Sequence, residues 1–247
     1  MKTVAAYSVK GGVGKTSAAV NLAWSSSRNL RTLLWDLDPQ GGATYLLQTK
    51  PKPKVDAHDL VSGKAQLADV VRSTADKRLD VIPAHASYRT LDLELDSAKD
   101  PERRLEKMLA SLAKSYDVVI LDCPPGMSLL SEIILTAADV AVVPLLPSPL
   151  SMRSLEQITT MVAAMKRRRP KIVGFLSMVD RRKTIHRELV ESLPRDSEHV
   201  LPVVVPYSTL VERMGVERAP IATFAARSVA ALAYGELWKG VSAALSL

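Results

Sequence analysis

A glycine-rich segment near the start of the chain constrains the fold more than any other feature. Residues 3–8 form a short, mostly apolar run that predicts a strand, and residues 17–24 are good helix formers. Between these two runs lies the segment Lys10-Gly11-Gly12-Val13-Gly14-Lys15-Thr16. A strand that leads through a glycine loop into a helix is the context in which such a loop binds phosphate.

The residue types of this loop suit a phosphate group. Glycine lets backbone N–H groups approach phosphate oxygens with no Cβ in the way, and the new helix adds its free N–H groups and positive dipole end. We expect Lys15 to contact the β- and γ-phosphates and the Thr16 hydroxyl to ligate Mg²⁺. A glycine-rich turn with a chance Lys-Thr pair is the alternative. The predicted phosphate-binding residues are Lys10, Gly11, Gly12, Val13, Gly14, Lys15, Thr16 and Ser17.

One position departs from the general phosphate-loop pattern. Where that pattern has its first glycine the chain has Val9, and the loop begins with Lys10 instead. This variant resembles the deviant Walker A box of the ParA/MinD family of partition and positioning ATPases. The resemblance implies that the cofactor is ATP with Mg²⁺, and that Lys10 reaches across an ATP-bound homodimer to the partner subunit's phosphates. A solvated loop lysine is the alternative.

Two further apolar runs end in acid. Residues 32–37 and 117–122 both predict buried parallel strands, and acids at strand ends lie at the edge where open α/β sheets bind ligands. The first is followed by Asp36-Leu37-Asp38-Pro39-Gln40-Gly41-Gly42, which is similar to the family's switch I. The resemblance implies that Asp36 supports the metal and that Asp38 orients the attacking water. A plain turn with capping acids is the alternative.

The second run has the form of a Walker B strand. We expect Asp122 to hold Mg²⁺ through water and to share the ion with Thr16. The following Cys123-Pro124-Pro125-Gly126 resembles the family's switch II. Cys123 is the one cysteine, which excludes an intramolecular disulfide, and we expect it to be a small buried residue rather than a nucleophile.

Alternating strand and helix patterns predict the fold class. The interpretation is a single α/β domain over residues 1–247, with a doubly wound, mostly parallel sheet and helices on both faces, of the phosphate-loop NTPase type. Residues 48–57 are interpreted as an exposed connection and 59–71 as two short helical turns. Further strands are predicted at residues 79–83, 138–146, 172–179 and 203–206, and helices from residue 101, at 151–168 and at 228–244.

The positive charge of the chain is concentrated in one stretch. Residues 153–195 contain 11 basic and 4 acidic side chains, whereas residues 1–152 carry a net charge of +1 and residues 196–247 a net charge of −1. Such asymmetry favours a polyanionic partner, and the hypothesis is phosphate contact on duplex DNA without base readout. Cations that complement a helix end and a plainly solvated face are the alternatives. The candidate residues are Arg167, Arg168, Arg181, Arg182, Lys183, Arg187 and Arg213.

These features favour one function over two others. The first is a slow, partner-stimulated ATPase that dimerises with ATP, binds DNA non-specifically and positions a plasmid, chromosome locus or protein cargo. Its site would be cytoplasmic and nucleoid-associated, and the resemblance implies a ParB-like or other basic-tailed stimulating partner. The resemblance also puts adenine beside Pro206 and Tyr207.

The two alternatives are a membrane-associated ATPase of MinD type and a metabolic or metal-cluster enzyme on the same fold. The final helix carries one lysine and no basic face, so we expect no membrane attachment. A lone cysteine argues against an iron–sulfur scaffold. The sequence contains no Gly-x-Ser-x-Gly elbow for a serine hydrolase.

Overall fold

The structure is a computed structural model that describes residues 1–51 and 54–247. Part of the connection predicted at 48–57, residues 52 and 53, lies outside the described residues. Eight strands form one sheet in the spatial order β3-β4-β2-β5-β1-β6-β7-β8, and every neighbouring pair is parallel except β3 with β4. The strands are β1 (Lys2–Ala6), β2 (Thr32–Asp36), β3 (Arg72–Ser73), β4 (Leu79–Ile82), β5 (Val118–Asp122), β6 (Val140–Leu145), β7 (Lys171–Val179) and β8 (Val200–Pro206).

Helices connect the strands along the chain. A 3₁₀ helix also occurs at Ala86–Thr90. The α-helices are α1 (Lys15–Ser27), α2 (Gly42–Leu46), α3 (Ala57–Ser62), α4 (Leu67–Val70), α5 (Leu91–Asp96), α6 (Pro101–Ala110), α7 (Leu129–Ala137), α8 (Pro149–Ala164), α9 (Thr184–Asp196), α10 (Thr209–Glu217), α11 (Ile221–Phe224) and α12 (Val229–Leu245).

Two apolar layers cover the sheet because side chains alternate between the faces of each strand. In β2, Leu33 and Trp35 belong to the layer formed with α3 and α5 to α8, while Leu34 belongs to the layer formed with α1, α2 and α10 to α12. The central strands β1, β2, β5 and β6 are almost wholly buried. Their aliphatic runs therefore reflect burial on both faces, as parallel sheets require.

The predicted fold class is confirmed: the sheet is mostly parallel, with helices on both faces. The predicted strands and the last helix appear within a few residues of their expected bounds. The sequence interpretation did not include the antiparallel strand β3, the helix α7 that follows switch II, or the short helices α2 and α11. No helix in the described ranges is both long enough and apolar enough to cross a membrane.

One predicted boundary is wrong. The helix expected at residues 151–168 ends at Ala164, and the next residue, Met165, has an extended backbone. The physical reason is Pro170, which disfavours helical geometry in the residue before it and stands immediately ahead of β7. Arg167 and Arg168 therefore lie in a connection rather than in the last turn of a helix, and a helix-dipole explanation does not apply to them.

Candidate nucleotide-binding site

The glycine loop joins the end of β1 to the start of α1 at the edge where the parallel strands end, called here the carboxyl edge. Gly12 (φ 71°) and Gly14 (φ 97°) adopt left-handed backbone conformations that favour glycine. A Cβ at Gly14 would also lie 3.0 Å from the Ser177 hydroxyl. The helix begins at Lys15 with no side-chain cap and no acid in its first turn. Its N-terminal N–H groups can therefore bind an anion.

Lys15 is buried inside this loop, with 7% of its surface exposed. Its ammonium group donates to the Lys10 carbonyl oxygen at 3.3 Å. Burial lowers the pKa of Lys15, while the nearby Asp122 carboxylate acts in the opposite direction. A buried ammonium held at the mouth of an anion-binding loop is suited to contact a phosphate group.

Lys10 points away from its own loop. Its ammonium group donates to the Leu150 carbonyl oxygen at 3.2 Å, at the start of α8. The Lys10 backbone N–H donates to the Ser8 hydroxyl at 3.2 Å, which fixes the beginning of the loop. The two lysines of the motif therefore have different surroundings, because Lys15 faces inward and Lys10 lies toward the protein surface.

Two buried carboxylates lie beside the loop. Asp36 and Asp122 are register partners at the ends of β2 and β5, and both are fully buried. One Asp36 oxygen accepts from the Thr44 hydroxyl at 2.6 Å and from the Thr44 N–H at 2.7 Å. The other Asp36 oxygen and both Asp122 oxygens have no hydrogen-bond partner within the described residues.

The electrostatics of this pair follow from its burial. Burial raises the pKa of Asp36 to about 6, and the bonds from Thr44 act against that rise. Burial and then the neighbouring Asp36 charge raise the pKa of Asp122 well above its usual range, whereas the adjacent Thr16 hydroxyl and Lys15 favour its charged form. Two like charges in a low-dielectric site call for a cation.

These residues fit a magnesium ion. Mg²⁺ prefers oxygen ligands and is usually bound by one or two carboxylates together with phosphate and water. The unpartnered oxygens of Asp36 and Asp122, with the Thr16 hydroxyl beside Asp122, supply that donor set. No cluster of three or more His, Cys, Asp or Glu side chains that could form an all-protein metal site occurs in the described part of the chain. The donor set is thus one that a nucleotide's phosphates would complete.

Switch I and switch II flank this pair. Asp38 is partly exposed, and its carboxylate accepts from the Gln40 N–H at 2.9 Å, so it also shapes the turn that begins α2. In switch II, the Gly126 carbonyl accepts from the Tyr7 hydroxyl at 2.9 Å and from the Ser131 hydroxyl at 3.0 Å. Gly126 has φ 115° and is therefore tied to the segment that leads into the glycine loop.

The residues predicted beside adenine lie near the glycine loop. Pro206 and Tyr207 line a small cavity together with Gly14 and Met178. Met178 has a left-handed backbone (φ 56°), which is uncommon for a residue other than glycine. The sequence interpretation did not single out Met178 or Thr44, because no local motif marks either residue.

The basic stretch does not form one surface. Arg167 and Arg168 lie ahead of β7, whereas Arg181, Arg182 and Lys183 follow its end, and a nine-residue strand separates its ends by about 26 Å. The first two arginines form ion pairs at the opposite, amino edge of the sheet, Arg167 with Asp100 and Arg168 with Asp139.

The basic residues at the carboxyl edge differ in their pairing. Arg182 pairs with Asp180 at 2.8 Å, and Arg213 pairs with Glu217 on α10. Within the described residues, no carboxylate lies at ion-pairing distance from Arg181, Lys183 or Arg187. These three side chains therefore carry the least compensated positive charge of the predicted set.

Comparison with known proteins agrees with this geometry. Residues 1–173 match the family model described as an AAA domain. The chain is 32% identical over 250 residues to the sporulation initiation inhibitor protein Soj of Bacillus subtilis, covering 98% of each chain. It is 30% identical over 251 residues to the chromosome-partitioning ATPase Soj of Treponema pallidum, covering 98% of this chain and 97% of the relative.

The solved structure of a Cyanothece McdA–ATP complex shares the fold, with a TM-score of 0.83 at 20% identity, and the match covers 100% of this chain and 97% of that one. The sequence matches extend along nearly the whole chain and include the glycine loop, both switches and both buried aspartates. The chain therefore belongs to this AAA-domain family and, within it, is an ATPase of the ParA/MinD group of partition and positioning ATPases.

Proposed function

We propose that this ATPase forms a homodimer when ATP and Mg²⁺ are bound, and that the dimer binds duplex DNA without sequence preference. Through cycles of binding and release it would position a plasmid, a chromosome locus or a protein cargo. In this proposal Lys15 contacts the phosphates, Thr16, Asp36 and Asp122 hold Mg²⁺, and Asp38 orients the attacking water. Partitioning relatives at about this chain's length support the assignment.

The orientation of Lys10 is the observation that carries the proposal. A phosphate-loop lysine that turns outward to the Leu150 carbonyl leaves its own loop and is available to a second subunit. Leu150 is itself exposed, and so are Met127 and Leu129 next to switch II. Exposed apolar side chains around a charged site are typical of surfaces that become buried on association. A nucleotide bound between two such edges would bring each Lys10 to the partner's phosphates.

The proposed DNA contacts follow from the uncompensated charge at the carboxyl edge. Arg181, Lys183 and Arg187 contribute most there, with Arg182 and Arg213 beside them in partial ion pairs. In a dimer formed at this edge the positive surface is doubled, which gives a physical reason for ATP-dependent binding. Arg167 and Arg168 would add contacts only if DNA also reached the amino edge.

The membrane alternative has weaker support. The apolar side chains of α12, including Tyr234, Leu237 and Val241, are buried against the sheet, so this helix has no free apolar face for lipid. The metabolic alternative would need a second substrate site next to the nucleotide, and no observation favours one.

The proposed partner is a ParB-like or other basic-tailed protein that stimulates slow hydrolysis, and the proposed location is the cytoplasm, on the nucleoid. One experiment separates the DNA and membrane functions: the ATP-bound protein is tested for a shift of random-sequence duplex DNA and for sedimentation with anionic liposomes. A shift of DNA without liposome sedimentation is expected. Sedimentation with liposomes and no DNA shift would favour the MinD-type function.

A further inference from the structure

Two residues other than glycine adopt left-handed backbone conformations at facing positions. Gln48 (φ 56°) lies two residues beyond the end of α2, and Arg218 (φ 48°, ψ 53°) caps the end of α10. This region is sterically unfavourable for side chains with a Cβ, and glycine is the usual residue at a helix end of this type. Strained residues of this kind persist where the surrounding structure holds them, and they are often functional.

The two strained residues are joined to each other and to α2. The Gln48 side-chain amide donates to the Arg218 carbonyl oxygen at 3.0 Å. The Arg218 guanidinium donates through Nε to the Tyr45 carbonyl oxygen at 3.1 Å, and its central carbon lies 4.6 Å from the centre of the Tyr45 ring. We name Tyr45, Gln48 and Arg218 the α2–α10 clasp. Glycine at position 218 would ease the backbone but could make neither side-chain contact.

The packing around the clasp is open. A cavity of about 370 Å³ lies next to it, lined by Leu46, Leu47, Gln48, Arg218 and Pro220. Well-packed interiors have few voids larger than a water molecule, so an unfilled space of this size leaves α2 room to move. The polar and cation–π contacts of Arg218 therefore contribute strongly to the position of α2 relative to α10.

The other side of α2 reaches the hydrolysis site. Thr44, the neighbour of Tyr45, donates twice to Asp36, and its hydroxyl also accepts from the Ala84 N–H at 2.7 Å. Gly42 packs against Thr16 so closely that a Cβ there would lie 3.0 Å from the Thr16 methyl group. A shift of this five-residue helix would therefore displace two of the oxygen donors that face the metal position.

We propose that Arg218 is a positioning residue for ATP hydrolysis, acting through α2 on Thr44, Asp36 and Thr16. Arg218 does not itself reach the nucleotide. The phosphate loop forms between β1 and α1 without α2, so ATP binding persists when the clasp is broken. The alignment of metal, water and γ-phosphate in the transition state degrades, because that alignment depends on where α2 lies.

The test is Arg218→Gly, which removes the side chain and relieves the strained backbone. We expect kcat to fall roughly tenfold with KM for ATP nearly unchanged, since small displacements of catalytic groups cost rate rather than ground-state binding. The melting temperature without nucleotide and the number of ATP molecules bound per chain by calorimetry should stay at parental values. Arg218→Lys, which keeps the charge but not the planar stack or the Nε contact, should recover part of the rate.

Two further variants make the test decisive. Arg28→Ala removes a similar arginine–aromatic stack, on Trp24 at the far end of α1, and should leave kcat unchanged. Gln48→Ala should lower kcat in the same way, and combining it with Arg218→Gly should add little, because both act through one clasp. It also serves if Arg218→Gly fails to fold. A parental kcat in both variants, or a fall in kcat matched by an equal fall in the fraction of chains that bind ATP, would overturn the proposal.

Discussion

Asp36 and Asp122 end adjacent parallel strands in matched register, and three of their four buried carboxylate oxygens lack a hydrogen-bond partner in the described structure. Without a cation this arrangement is unfavourable, because burial and mutual repulsion penalise the charged forms. Stability is thus given up at the point where a metal and a nucleotide would restore it.

Asp122→Asn should therefore stabilise the nucleotide-free protein by about 1 kcal/mol or more, since it removes one buried ionisable group. The same variant should lack the additional rise in melting temperature that Mg²⁺ gives in the presence of ATP. Thermal unfolding with and without EDTA measures both. Asp80→Asn is the control, because Asp80 accepts from Tyr116 in a satisfied bond and should show no stabilisation. A lower melting temperature for nucleotide-free Asp122→Asn would contradict this view of the pair.

Lys15→Ala should weaken ATP binding by about 3 kcal/mol, roughly a hundredfold in Kd, because a buried charge partner of the phosphates is removed. Calorimetric titration with ATP and Mg²⁺ measures the change. Lys64→Ala, at a surface lysine paired with Asp59, is the matched control and should bind normally. Near-parental affinity in Lys15→Ala would remove this residue from phosphate binding.

Lys10→Ala should keep ATP binding by the single chain but abolish the ATP-dependent dimer. The reason is that Lys10 is directed outward to Leu150 and contributes only its backbone to its own loop. Light scattering after size exclusion, with ATP and with ADP, gives the mass of each state. Normal dimerisation of this variant with ATP would exclude the cross-subunit role.

Replacing Arg181, Arg182 and Lys183 by alanine should weaken DNA binding to a similar extent for all sequences. The salt dependence should become shallower by roughly one unit of slope for each phosphate that the variant no longer neutralises. Arg167→Ala with Arg168→Ala is the comparison, because these residues lie at the opposite edge in ion pairs and should change affinity less. ATP hydrolysis without DNA should be little altered in either variant. The reverse ranking of the two variants would move the DNA surface to the amino edge.

The glycine loop and the buried acid-ended strands were predictable because their signals are local. Gly12 and Gly14 occupy positive-φ positions, and the runs before Asp36 and Asp122 are continuous apolar segments of strand length. Each requirement is met within about ten residues of chain. Local sequence patterns are therefore sufficient to place these elements at one edge.

The parts that were missed depend on contacts between distant segments. Arg218 meets Tyr45 across 173 positions, and nothing near either residue indicates the contact. The basic stretch looked like one surface because its residues are close in sequence, yet β7 carries the chain from one edge of the sheet to the other between Arg168 and Arg181. Sequence proximity is a poor guide to surface proximity when a strand intervenes.

Asp38→Ala should bind ATP and dimerise while hydrolysis stops, since orienting a water matters only in the transition state. The variant should accumulate as an ATP-bound dimer in size exclusion. Hydrolysis at the parental rate would leave Asp38 only its role in the turn before α2.

This trapped state offers the most direct measurement of the proposed function. Binding of Asp38→Ala protein to random-sequence duplex DNA is followed by fluorescence anisotropy, with ATP and with ADP, at several salt concentrations. The account predicts tight, salt-sensitive binding with ATP and weak binding with ADP, because only the ATP-bound dimer presents two carboxyl-edge basic surfaces together. Equal affinity in the two nucleotides, or no binding in either, would contradict it.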